Sequence, residues 1–406
     1  RPFDLGRFKA TLGLQGRDLN DLFLLTGVAM PSTPPYQLSG ALTRDDAVWT
    51  FNDFDGRVGA SDLSGDVTVN AAGRLRVDAD LASRRLDIDD LVAILGGETR
   101  TNEAGTNTTV VSAGAGAGKL LPDAPLQVER LRSMDGTLRF RATSVKANDL
   151  DISEVTLGAD LESSILTLDP VEFTFDRGTL AGTARINVTD QLPYSQADFR
   201  LTGYPLQSVV PPRSGTVPIS GILNGRLKLE GPGLSIHQFA ARSKGTMSAV
   251  IRQGQMRAAF AELLGINAGA GLLKLLSGDT SNSTIKCGVA GFDVIGGVAT
   301  VRSAVIDTDV VQARISGTID LGTETLDLKV DGESKRPRVL RLWTPITVTG
   351  PITAPRPGID VGSAAAQVGV VGFLAAAVAP VAALLGFIEP GLAEDADCSA
   401  LTAQAR

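Results

Sequence analysis

Chemistry-bearing side chains are scarce in this chain. Of 406 residues, one is histidine and two are cysteine. A Ser-His-Asp relay has only His237 to use. That residue stands in "GLSIHQFAA" with no motif around it and reads as a partly exposed strand or loop histidine. Zinc sites built on several His or Cys ligands are excluded by count. Aromatic residues make up 5%, so a core must be filled mainly by Val, Leu, Ile and Ala. A basic surface is lacking too. The formal net charge of −7 argues against a nucleic-acid partner, which needs cations to displace its counterions, and offers no overall attraction to anionic membranes. The first residue is Arg1 rather than methionine, and the expectation is a fragment whose targeting segment lies upstream.

Short catalytic and binding motifs fail one by one. "STIK" (Ser283 to Lys286) has the S-x-x-K spacing of serine acyl-enzymes without the companion S-D-N and K-T-G. "DIDD" (Asp87 to Asp90) lacks the glycine and terminal glutamate of a calcium loop and reads as a solvated acidic turn. "AGAGAGK" (Ala113 to Lys119) lacks the ending of a phosphate loop and reads as flexible linker. "KRPRVLR" (Lys335 to Arg341) is a local basic run, read as solvated surface. No catalytic residue, metal site or cofactor is expected.

What is present is alternation. In "SDLSGDVTVN", Leu63, Gly65, Val67 and Val69 share one face of a strand. "TLAGTARINV" repeats the pattern with Leu180, Gly182, Ala184, Ile186 and Val188, and "VQARISGTIDL" with Ile315, Gly317, Ile319 and Leu321. Each time a glycine holds the same register on the apolar face. An alternating strand precedes each ("VWTFNDFDG", "LTLDPVEFTFDRG", "VATVRSAVIDT") and another follows ("LRVDADLAS", "SQADFRLTG", "ETLDLKVDG"). The glycines stand 117 and 135 positions apart, too far and too unequal for a short solenoid repeat. The reading is a mainly β fold: an elongated, twisted antiparallel sheet curled into an apolar groove, with a few short helices. Three sheet blocks are expected over 1–95, 120–254 and 277–361. A flexible Gly/Thr/Ala-rich insertion (96–119) and an amphipathic helical segment (255–276, with Met256, Ala259, Phe260, Leu263 and Leu264 on one face) interrupt them. An apolar helical segment and acidic tail close the chain at 362–406.

Residues 364–388 carry no charge and are long enough to span a membrane. Pro380 interrupts them, and Ala and Gly dominate, so insertion is marginal. A broken helix packed on the sheet end or dipping into a membrane surface is preferred over a true span. Two readings of Cys287 and Cys398 stand open: two buried free thiols, or a disulfide stapling the tail to the sheet, worth about 4–5 kcal/mol on chain-entropy grounds.

A sheet with one apolar face must bury it against another layer or hold apolar ligand. An acyl chain of about 16 methylenes leaves water with a gain of roughly 0.8 kcal/mol each, on the order of 13 kcal/mol. Relative to a membrane the transfer is nearly neutral, so a lipid can slide without a deep trap. The recurring glycine either leaves volume on such a face or marks a bulge where another backbone comes close.

The order of "PFDLGRFKATLGLQGRDLNDLFLLTGVAMPSTPPYQLSGAL", "FDGRVGASDLSGDVTVN", "SRRLDIDDL", "LPDAPL", "MDGTLRFRA", "VIDTDVVQARISGTIDLGTETLDL", "PITVTGPITAPRPGIDVG" and "EPGLAEDADCSAL" resembles the C-terminal region of the AsmA-like family of bacterial envelope proteins. The resemblance implies a repeating β-groove of the bridge-like lipid-transfer type. It implies a periplasmic protein anchored in the inner membrane by an N-terminal helix outside this chain, and no enzyme activity. Its partners would be phospholipid acyl chains, the inner or outer membrane surface and envelope proteins, with no nucleic acid. Phospholipid movement between the membranes is the implied role, with structural or chaperone-like work in outer-membrane protein assembly as the alternative. A periplasmic setting also favours the Cys287–Cys398 disulfide. The groove lining would be Leu63, Gly65, Val67, Val69, Leu180, Gly182, Ile186, Val188, Ile315, Gly317, Ile319 and Leu321.

Overall fold

The computed structural model describes residues 6–22, 33–88, 90, 98–101, 108–111, 120–123, 125–147, 151–209, 219–258, 281–335, 345–359 and 393–399. The fold is mainly β, with short helices. It divides into two compact units. Unit 1 comprises Arg1–Arg200 and Glu230–Arg242, and unit 2 comprises Leu201–Leu229 and Ser243–Arg406.

Unit 1 opens with a meander of alternating segments: β1 (Arg7–Gly16), β2 (Tyr36–Asp45), β3 (Val48–Val58), β4 (Ser61–Asn70) and β5 (Leu75–Ser83). Each pairs antiparallel with the next. Tyr36, Leu38, Phe54 and Val58 are buried together, with Leu14, Phe51, Leu63, Val67 and Leu81 packed against them. After β5 come β6 (Leu86–Asp87), β7 (Glu98–Thr101), β8 (Thr108–Val111) and the helix α1 (Val128–Ser133). The chain then returns as β9 (Met134–Thr143), followed by β10 (Val145–Lys146), β11 (Ile152–Glu162), β12 (Ile165–Phe175) and β13 (Thr179–Asn187).

The β5–β9 pairing is parallel, from Leu75↔Met134 to Ser83↔Ala142. This corrects the expectation of an antiparallel sheet throughout. The long excursion between Ser83 and Met134 brings the chain back to the end from which β5 started, and a parallel pair needs such a crossover. The short β6–β10 pair is parallel as well. Inside the excursion, β7 and β8 form an antiparallel hairpin where 96–119 reads as linker. The β-branched run "TTVV" supplies its second strand.

The strand β14 (Tyr194–Pro205) and, after α2 (Leu206–Val209), the strand β15 (Ile219–Pro232) each divide between the units. The helix α3 (Ile236–Ala241) belongs to unit 1. His237 lies on it, not on a strand or loop. The Ser235 hydroxyl accepts from the Gln238 N–H and starts the helix there.

Unit 2 continues with β16 (Lys244–Arg257), β17 (Asn282–Ile295), β18 (Val298–Thr308), β19 (Val311–Asp320), β20 (Thr325–Ser334), β21 (Ile346–Pro351) and β22 (Arg356–Ile359). All six successive pairs are antiparallel. Its core joins Met256, Ile285, Val310, Val311, Ala313 and Val330. Met256, expected on a helix, is therefore a strand residue. Its backbone is paired with Ser283 and its side chain is 5% exposed in this core. Residues 259–276 of the expected helix and the apolar stretch 364–388 lie outside the described residues. Among the described residues, no helix is long and apolar enough to cross a membrane.

Candidate functional site

The three glycines sit at a recurring backbone device. Between Phe51 and Phe54 the β3–β4 register shifts, so Phe51 faces Val67 while Phe54 faces Gly65. Asp53 at this bulge has φ 47°, and its N–H donates to the Asp66 carboxylate at 2.9 Å. Strict alternation places Phe51 and Phe54 on opposite faces. The bulge puts them on the same face, stacked at 5.2 Å. The β12–β13 register shifts likewise between Leu168 and Val171, with Gly182 opposite Val171. The β18–β19 register shifts between Thr300 and Val305, alongside Gly317.

On the other side of each glycine a backbone comes close. A Cβ on Gly65 would lie 2.0 Å from the Asp80 carbonyl oxygen, on Gly182 2.2 Å from that of Asp198, and on Gly317 2.1 Å from that of Asp327. Gly65 and Gly317 also have φ of +141° and +115°, values that side chains resist. Gly182 shares the close approach without the positive φ. At these positions glycine is a backbone requirement, whatever lies on the face.

The bulges keep apolar residues aligned from strand to strand. Phe51, Val67, Ala79, Leu138, Ala159, Leu168 and Ala184 are successive cross-strand partners from β3 to β13. Phe54, Gly65, Leu81, Phe140, Leu157, Val171 and Gly182 form the next row, and Trp49, Val69, Val77, Gly136, Leu161, Leu166 and Ile186 a third. At about 4.8 Å per strand spacing, each row runs about 29 Å. That exceeds the length of an acyl chain in one leaflet, about 15 Å. Every residue of the first row is half-buried. A hollow of about 470 Å³ is lined by Leu81, Leu138, Phe140, Leu157 and Ala159 of these rows, with Thr137, Arg139, Asp160 and Asp169 among its polar neighbours.

Among the alternate positions are charged residues in mutual pairs. Arg76 meets Asp78 at 2.9 Å, Arg74 meets Asp135 at 2.7 Å, and Arg141 meets Glu154 at 2.6 Å. Thr137 Oγ1 donates to Asp78 at 2.7 Å. Burial alone would raise the Asp78 pKa, but the hydrogen bonds from Arg76 and Thr137 outweigh it and hold it below the usual value. Unit 1 thus has one continuous apolar face and one ion-paired face.

Unit 2 carries its own rows. Val294, Ala299, Ile319, Leu326 and Gly350 are partners from β17 to β21. Gly317, Leu328, Val348 and Pro357 follow from β19 to β22, and Ile315, Val330, Ile346 and Ile359 run beside them.

The residues singled out from the sequence fall into three groups. Leu63, Gly65, Val67, Val69, Leu180, Gly182 and Ile186 are joined on one face of unit 1 by the intervening strands. Ile315, Gly317 and Ile319 are joined on one face of unit 2. Val188 stands apart: it is fully buried, its N–H donates to Ser164 and its carbonyl accepts from Arg132 Nε at 2.6 Å. Leu321 lies in the turn after β19, its N–H donating to Gly297. Sequence reasoning missed Leu81, Phe140, Leu157 and Val171. The strand "MDGTLRFRA" was legible, but nothing local says that β9 lies beside β5.

Other candidates have structural partners. Ser283 Oγ donates to Asp309, and Lys286 Nζ to Asp395 at 2.5 Å, so the S-x-x-K pair is tied to two different carboxylates. Cys287 and Cys398 form a disulfide with Cα atoms 6.0 Å apart. Among the described residues, no group of three or more His, Cys, Asp and Glu could hold a metal ion.

Comparison with known proteins places these features in a family. The chain is 28% identical over 414 aligned positions to the AsmA family protein YhjG of Escherichia coli (strain K12). The alignment covers 99% of this chain and 60% of that protein. No solved structure matches. The profile of the AsmA family matches residues 14–326, and the chain belongs to that family.

Proposed function

We propose that the chain is a non-enzymatic lipid-binding conduit of the bacterial envelope, and that it carries phospholipid between the inner and outer membranes along its apolar rows. The observation that carries the reading is the unbroken apolar face of unit 1 from β3 to β13, whose first row is half-buried throughout, backed by an ion-paired face. Acyl chains laid across the strands exchange one hydrocarbon surface for another, so movement along the rows meets no deep trap. Headgroups stay at the solvent edge. The disulfide suits an oxidising compartment such as the periplasm.

A photo-crosslinking residue at Val67 or Ile186 tests the proposal, with one at Asp78 on the ion-paired face as control. Phospholipid captured at Val67 and Ile186 but not at Asp78 supports it. Capture of polypeptide alone overturns it and favours the role in outer-membrane protein assembly. A blocking substitution belongs at Ala159→Lys, in the middle of a row, where the loss of lipid capture should leave the fold intact. Gly182 is unsuitable, because any side chain there meets the Asp198 backbone first.

A further inference from the structure

Residues 393–399 cross four strands of unit 2 in turn. Ala393 N–H donates to Ser334 O at the end of β20, and Glu394 O accepts from Gln312 Nε2 on β19 at 3.1 Å. Ala396 N–H donates to the Asp307 carboxylate on β18 at 3.1 Å, and Cys398 is bonded to Cys287 on β17. Cys287, Asp307 and Gln312 are cross-strand partners, and they alternate with Gly288, Ile306 and Ala313 of the apolar side. The segment is therefore a strap on the face opposite the apolar rows. Beneath it Asp307 is fully buried and paired with Lys335, the residue after β20.

We propose that this strap is a redox latch, closed by the Cys287–Cys398 disulfide and opened by a dithiol reductant. Opening passes two electrons and two protons to the cysteines, leaves two thiols, and turns the dithiol into its own disulfide. Beside the disulfide stand the hydrogen bonds of Ala393, Glu394 and Ala396 and the ion pairs of Asp395. Asp395 joins Lys286 at 2.5 Å and Lys335 at 2.6 Å, but its carboxylate is 58% exposed, and exposed ion pairs hold little. Acid is not the trigger. The hydrogen bonds from Lys286 and Lys335 lower the Asp395 pKa to about 2, so the charge persists well above that pH. The hydrogen bond to Asp395 raises the Lys286 pKa, and the charges of Asp307 and Asp309 add to it.

Hydrogen exchange on the full chain, oxidised and after dithiothreitol, tests the latch. Reduction should speed exchange in residues 393–399 by about tenfold or more, as local rather than global opening requires, while β1–β13 stay unchanged. Cys398→Ser should reproduce this without reductant, and Asp395→Asn in oxidised protein should leave the strap closed. Unchanged protection of the strap on reduction overturns the proposal. So does an equal rise throughout unit 2, which would make the disulfide a general staple.

Discussion

The two units secure their strand ends by different chemistry. Unit 1 turns carboxylates onto backbone. Asp62 accepts from the N–H groups of Arg84 and Arg85 and from Ser83 Oγ, and Asp90 accepts from the N–H groups of Ala60 and Ser61 and from Ser61 Oγ at 2.6 Å. Unit 2 uses a covalent bond across a separation of 111 residues, assisted by lysines. The same alternating strands build both sheets, yet unit 2 adds a covalent bond to its carboxylate contacts.

Removing the disulfide should separate the units most sharply. Replacing Cys287 and Cys398 by alanine should speed hydrogen exchange in residues 393–399 by about tenfold or more and leave the strands of unit 1 unchanged. The glycine device comes next and should weaken both units alike. Gly65→Ala and Gly317→Ala should each cost about 1–3 kcal/mol in denaturation midpoint. Gly13→Ala, where an added Cβ meets nothing within 4 Å, should change it by less than about 0.5 kcal/mol. In unit 1, Ser61→Ala removes a donor to Asp90 and the acceptor of the Asp87 N–H, at a cost of about 1–2 kcal/mol measured by urea titration.

The smallest effects are in acid. Asp395 has its folded pKa lowered to about 2, so its contribution is full above the ordinary carboxylate range and is lost as pH falls from there through about 2. Asp62 behaves the same way. Burial pulls its pKa upward, but the hydrogen bonds from Arg85, Ser83 and Arg84 win and lower it. Asp90 opposes them. Burial raises its pKa despite the donors on Ser61 and Ala60, so its contribution grows as pH falls through that raised value. Carboxyl NMR titrations should place the Asp395 midpoint near 2 and the Asp90 midpoint above the ordinary range. A normal Asp90 midpoint would remove the contrast.

Much of the architecture was legible because strand alternation is a local signal. "SDLSGDVTVN", "TLAGTARINV" and "VQARISGTIDL" are strands β4, β13 and β19 within a residue or two, and their apolar members share a face. Bulges were not legible. Nothing in "TFNDFDG" says that Asp53 takes a positive φ and turns Phe51 and Phe54 to one side. Met256 was misread because helical spacing and a strand's inward positions both repeat apolar residues at short range. Its partner Ser283 lies beyond a long stretch of sequence.

The sequence by itself determined the strand-forming segments, their inward faces, and the shortage of groups for nucleophilic or metal chemistry. These follow from side-chain periodicity and composition, which every short window carries. Only the tertiary structure decided that β9 lies parallel to β5, so that two separate alternating blocks become one apolar face. It alone showed that the glycines yield to a neighbouring carbonyl, and that Cys398 reaches Cys287. Each of these depends on which distant backbone lies 5 Å away, and pairing energy between strands is too uniform along the chain for a local pattern to choose the partner.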